Sequence, residues 1–94
     1  EVGEPLYRVD RCLMALNLAG KFRDCAGVIL GTFTDCQGAA DSLTPEEIFQ
    51  EITAPWRKPA IANFRAGHVD SQSTVALGME IQFNTDTLKP LVRP

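Results

Sequence analysis

The sequence predicts a small α/β domain with two main helices and a mixed sheet. Three observations carry that prediction. Two segments repeat apolar residues at three- and four-residue steps, the period of an amphipathic helix. Two short, mostly apolar runs follow them, each closed by turn residues, as buried strands are. Toward the carboxyl end, apolar residues fall at every second position, the period of a half-buried strand. With 94 residues the chain makes one small core, so residues 1–94 are read as one domain.

The first helix is expected in EPLYRVDRCLMALNLAG. Leu6, Val9, Leu13 and Leu16 form its apolar stripe, which Cys12 widens, while Arg8, Asp10 and Arg11 turn to solvent. Pro5 suits the first turn, where its missing N–H costs nothing, and Gly20 suits the left-handed residue that ends a helix. Ala26 to Phe33 is then expected as a strand buried on both faces, followed by a loop over TDCQGAADS. Thr44 and Glu47 have the spacing of a capping box, with Pro45 in the first helical position and Ile48, Phe49 and Ile52 on the apolar face; Pro55 ends the segment. Pro59 to Phe64 is read as a second buried strand. In TVALGMEIQFN, residues Val75, Leu77, Met79, Ile81 and Phe83 share one face of a third strand. NTDT makes a turn and LKPLV a closing strand, which Pro90 confines to an edge or a bulge.

Charge and composition exclude several functions. The net charge is −3, and the one basic cluster is the pair Arg57-Lys58, read as a solvated turn, so no basic stripe for nucleic acid exists. No apolar run approaches a membrane span, and no secretion signal opens the chain. The chain begins at Glu1 rather than Met, as a processed or truncated piece would. Cys12, Cys25 and Cys36 are odd in number and widely spaced, which argues for free thiols in a cytoplasmic protein and against a zinc site.

The candidates for chemistry are few. His68, the sole histidine, lies in a Gly-containing loop just past a strand end, where ligand crevices of open α/β sheets lie. An imidazole there can take and return a proton near neutral pH, and it can equally be a surface or packing residue. Asp70 is near enough to orient it, or to make an ordinary turn contact. Ser71 and Ser73 lack the strand–turn–helix setting of a nucleophilic elbow and read as polar loop residues. Asp35 and Cys36 follow the first strand and are expected near the same crevice, although no motif supports Cys36 as a nucleophile. Glu1 and Glu4 precede the first helix, where acidic side chains are favourable.

Three stretches, EVGEPLYRVDRCLMALNLAG, AGVILGTFTDC and FRAGHVDSQSTVALGMEIQFN, together resemble the LD-carboxypeptidases of peptidoglycan recycling, a family that includes the microcin-immunity peptidases. The resemblance covers nearly the whole chain in the right order, and V-G-E-P-x-Y-R-V-D-R with G-H…L-G makes a fairly specific pair. It implies a two-domain enzyme whose N-terminal domain carries a nucleophilic serine and whose C-terminal domain carries a glutamate and a histidine. This chain resembles the C-terminal domain, a small swivelling β/β/α unit. His68 matches the catalytic histidine of the G-H motif. The family's glutamate would lie just before residue 1. Glu1 matches the acidic residue that follows it and takes the catalytic role only if the register shifts by one; Glu4 belongs to V-G-E-P and is not assigned.

The implied chemistry is serine acyl transfer without metal or cofactor, releasing the terminal D-alanine of a muropeptide tetrapeptide; a microcin-like peptide conjugate is the alternative substrate. The implied partners are the Ser-bearing domain or chain, the muropeptide, and a second copy in a homodimer of the full enzyme. Because no serine of this chain matches the nucleophile, the chain is expected to be a fragment, or a product of cleavage just after the catalytic glutamate. The rival expectation is a non-catalytic peptide-binding or assembly module.

Overall fold

The computed structural model describes residues 1–39, 42–85 and 89–92. Helix α1 spans Leu6–Leu18, the single turn α2 Lys21–Asp24, strand β1 Val28–Ile29, helix α3 Pro45–Thr53, strand β2 Ala60–Ile61, strand β3 Ile81–Asn84 and strand β4 Lys89–Val92. The result is a small α/β domain with two main helices and a small parallel sheet. β1 and β2 pair in parallel, Val28 with Ala60 and Ile29 with Ile61, with α3 in the crossover that a parallel pair requires. β3 and β4 make a separate antiparallel pair in which Ile81 faces Val92 and Asn84 faces Lys89. Pro90 stands opposite Phe83 in this pair, so among the described residues it lies in an edge strand, as expected.

The core forms where the two helices meet. Val9 and Leu13 of α1, Phe22, Leu30, Cys36, and Ile48 and Phe49 of α3 are buried in one cluster. Each large apolar side chain so buried contributes about 1.5–3 kcal/mol. The Phe22 and Phe49 rings meet edge to face, with centroids 6.1 Å apart. Trp56, in a 3₁₀ turn at Ala54–Trp56, donates its indole N–H to Asn17 Oδ1 at 2.7 Å and fastens the end of the α3 segment to α1.

The helix signals act where expected. Thr44 Oγ1 accepts from the Glu47 N–H and Glu47 Oε1 accepts from the Thr44 N–H, both at 3.2 Å, completing the capping box. Gly20 adopts φ 78°, ψ 11°, the left-handed turn after α1. Pro5 stands one position earlier than expected, at the N-cap. α3 ends at Thr53, and the 3₁₀ turn carries the chain on through Pro55.

Several expectations need correction. The α1 stripe is narrower than its periodicity suggests: Val9 and Leu13 are buried, whereas Cys12 and Leu16 are exposed, because α3 covers only one side of the helix. The turn α2 carries no period that four residues could display. β1 is two residues long and half-buried rather than covered on both faces. β2 stops at Ile61 because Asn63 takes a left-handed conformation, φ 57°, which breaks the ladder. The alternating segment from Thr74 becomes a strand only at Ile81. Gly78, φ 77°, turns the chain, and Val75, Leu77 and Met79 are exposed by 43%, 89% and 49%. Alternation defines two faces, but a strand also needs a neighbour, and β4 pairs only with residues 81–84.

Candidate active site

Three extended segments meet beyond the carboxyl ends of β1 and β2. The middle one, Thr32 to Thr34, continues β1. On one side Glu1 to Gly3 pairs with it in parallel: the Glu1 amino nitrogen donates to the Thr32 carbonyl at 2.9 Å, Thr34 N–H to the Glu1 carbonyl at 2.8 Å, and Gly3 N–H to the Thr34 carbonyl at 2.8 Å. On the other side Ala66 to His68 returns, with Thr32 N–H donating to the Ala66 carbonyl at 3.0 Å and Thr34 Oγ1 donating to the His68 carbonyl at 2.9 Å. The segments that hold Glu1 and His68, far apart in sequence, therefore flank the same short stretch.

Close packing depends on two glycines. A Cβ added at Gly31 would strike the Ala66 carbonyl oxygen, and one at Gly67 would strike Thr32 Oγ1. The loop that carries His68 is closed at its base: Ser73 N–H donates to the Arg65 carbonyl at 2.7 Å, and Arg65 Nη1 donates to the Ser71 carbonyl at 3.3 Å. His68 itself is exposed, and its ring has no hydrogen-bond partner among the described residues. The loop is thus held by its backbone while the imidazole is left available.

Side chains in this ladder alternate between faces. Val2 stands opposite Thr34 and shares its face. Glu1 and Phe33 belong to the other face and line an open, mainly apolar groove of about 960 Å³ along α1, together with Cys12, Met14 and Leu18. No hydrogen bond joins the Glu1 carboxylate to His68 among the described residues. Glu4 is engaged with Arg8 at 3.3 Å, one helical turn away.

The remaining candidates separate from His68. Cys36 does not open into the crevice as expected. It is fully buried in the core, with Sγ donating to the Thr34 carbonyl at 3.3 Å, so no substrate reaches the thiol. Asp35 is exposed in a left-handed turn, φ 53°. Asp70 makes no hydrogen bond to His68, and Ser71 and Ser73 serve the loop through backbone atoms. Thr34 is the residue that sequence reading missed. A threonine after a strand carries no signal until its four partners are seen. At the surface, Arg23 hydrogen-bonds Asp24 and holds that carboxyl below its ordinary range. Among the described residues, no three His, Cys, Asp or Glu side chains gather as a metal ion would require, and no helix is long and apolar enough to cross a membrane.

The chain is similar to known proteins over most of its length. The model of the LD-carboxypeptidase C-terminal domain matches residues 1–83, and the chain belongs to that family. It is 29% identical over 87 residues to a probable murein peptide carboxypeptidase of Bacillus subtilis, covering 90% of this chain and 27% of the relative. It is 35% identical over 68 residues to a murein tetrapeptide carboxypeptidase of Pseudomonas aeruginosa, covering 72% of this chain and 22% of the relative. A putative carboxypeptidase of Streptomyces coelicolor is 30% identical over 87 residues, with 93% of this chain and 27% of the relative covered. The chain thus spans about a quarter of the length of the curated relatives it matches.

Proposed function

We propose that this domain is the histidine-bearing part of a serine-type LD-carboxypeptidase that removes the terminal D-alanine from murein tetrapeptides in the cytoplasm. The observation that carries the reading is the combination at His68: a loop closed by backbone hydrogen bonds, and an exposed imidazole whose ring is not spent on packing. A serine from the remainder of the enzyme attacks the carbonyl that joins an L-centre to the D-amino acid. His68 accepts the serine's proton as the bond forms and passes it to the departing amine as the bond breaks. A carboxylate hydrogen-bonded to the other ring nitrogen holds the imidazole in place and stabilises its cation.

Glu1 is not our choice for that carboxylate. It lines the α1 groove with Phe33, whereas Thr34, whose hydroxyl meets the His68 loop, shares its face with Val2. The family resemblance sets its glutamate just before Glu1, and that carboxylate is our choice. Residues of the Ser-bearing domain, and a second copy of the whole enzyme, are the expected partners.

The reading is tested by His68→Ala in the full-length enzyme, following D-alanine release from a murein tetrapeptide alongside thermal melts. An exposed loop side chain buries little, so the fold should be retained. Turnover should fall by a factor on the order of 10⁴ to 10⁶, as for other triad deletions. Turnover within a few-fold of wild type would return His68 to the role of a loop residue and favour a non-catalytic, peptide-binding domain. Hydrolysis of a microcin-like conjugate in place of the tetrapeptide would keep the chemistry and change the substrate.

A further inference from the structure

We infer that Thr34 is a positioning residue for the reaction, acting through His68; the inference rests on the catalytic reading of that histidine. Four hydrogen bonds meet at this one residue. Its N–H donates to the Glu1 carbonyl at 2.8 Å, and its carbonyl accepts from Gly3 N–H at 2.8 Å and from Cys36 Sγ at 3.3 Å. Its hydroxyl donates to the His68 carbonyl at 2.9 Å. Cys36 is fully buried, so Thr34 is tied to the packed core on one side and to both site-bearing segments on the others.

The first three bonds use only the backbone N–H and carbonyl of Thr34 and would form with many residues at this position. The hydroxyl is different. Among the described residues it is the one hydrogen bond from the strand extension to the residue that carries the imidazole, because the neighbouring backbone bond, from Thr32, ends at Ala66. Without it the strand extension grips the loop no nearer than Ala66, two residues before His68, while the bonds of Arg65 to Ser71 and Ser73 close only the base of the loop; a proton shuttle tolerates little motion. Threonine also suits the position for a local reason. Its branched Cβ favours extended backbone and restricts χ1, so the hydroxyl is already aimed when the strand forms.

The test compares Thr34→Val, which keeps the branched shape and removes the hydroxyl, with Thr34→Ser, which keeps the hydroxyl, in the full-length enzyme with His68→Ala as reference. The inference expects kcat of the valine variant to fall between about tenfold and a hundredfold with KM within about twofold, since the lost contact acts in the transition state rather than on binding. Serine restores kcat to within about threefold, and both variants melt near wild type. Should the valine variant not fold, Thr34→Ala replaces it under the same criteria. The inference is overturned if kcat survives loss of the hydroxyl while His68→Ala is inactive. It is equally overturned if serine fails to rescue and activity merely follows a lowered melting temperature. An active His68→Ala variant overturns the positioning role and the catalytic reading together.

Discussion

Gly31→Ala offers a direct test of how closely the His68 loop is packed against the strand extension. Gly31 has no left-handed backbone requirement, so alanine is conformationally acceptable and the substitution tests space alone. Its new methyl would point at the Ala66 carbonyl oxygen, well inside 3.0 Å, where real Cβ atoms essentially never approach. The obstacle is backbone, so no rotamer change relieves it. Ordinary contact begins near 3.4 Å, and the Ala66 to His68 segment must retreat by about 1 Å to reach it. That retreat strains the Thr32 N–H bond to Ala66, now 3.0 Å, and the Phe64 N–H bond to Leu30, now 3.1 Å. Overpacking of this kind costs about 1–3 kcal/mol of stability. A displacement of about 1 Å at a proton-transferring group costs on the order of 10²-fold in rate. The assay is D-alanine release by the full-length enzyme, with the denaturant midpoint measured beside it. Gly38→Ala is the milder control, because its new methyl meets Leu6 Cδ2 and Ser42 Cβ at 3.0 Å, where a shift of a few tenths of an ångström suffices. If Gly31→Ala matches that control in both midpoint and turnover, the close approach at Ala66 is not a feature of the working enzyme and the derived displacement is refuted.

Two further outcomes follow from burial and capping. With thiol reagent, Cys12 should react at once in the native protein, Cys25 more slowly, and Cys36 only after denaturation, following their exposed, half-buried and buried positions; a native Cys36 that reacts as fast as Cys12 would contradict the core assignment. Thr44→Ala removes the side-chain acceptor at the start of α3 and should destabilise the domain by about 1 kcal/mol, read as a lower denaturant midpoint with an unchanged slope. An unchanged midpoint would mean that α3 does not depend on its capping box.

The local chemistry of individual residues was open to inspection before any fold was known. Thr44, Pro45 and Glu47 determine the start of α3 through contacts no more than three residues apart, and the reciprocal bonds form as their spacing implies. Gly20 likewise ends α1 because a left-handed turn needs no distant partner. The family resemblance singled out His68 through two motifs taken together, V-G-E-P-x-Y-R-V-D-R and G-H…L-G, both legible in the sequence. The extent of the strands was beyond such reasoning. Alternation over residues 74–84 states which side chains share a face, yet only residues 81–84 find a partner, and Val75, Leu77 and Met79 are left exposed.

Tertiary structure alone decided what surrounds the histidine. Cys36 went to the core rather than the crevice, and Asp70, two residues beyond His68, makes no hydrogen bond to it among the described residues. Thr34 joined Glu1, Gly3, Cys36 and His68 across separations of up to 34 residues. A cap or a turn is legible because the residues that satisfy it are neighbours in the chain. A hydrogen bond between Thr34 and His68 exists only once α3 has carried the chain over from β1 to β2 and brought the two extended segments side by side.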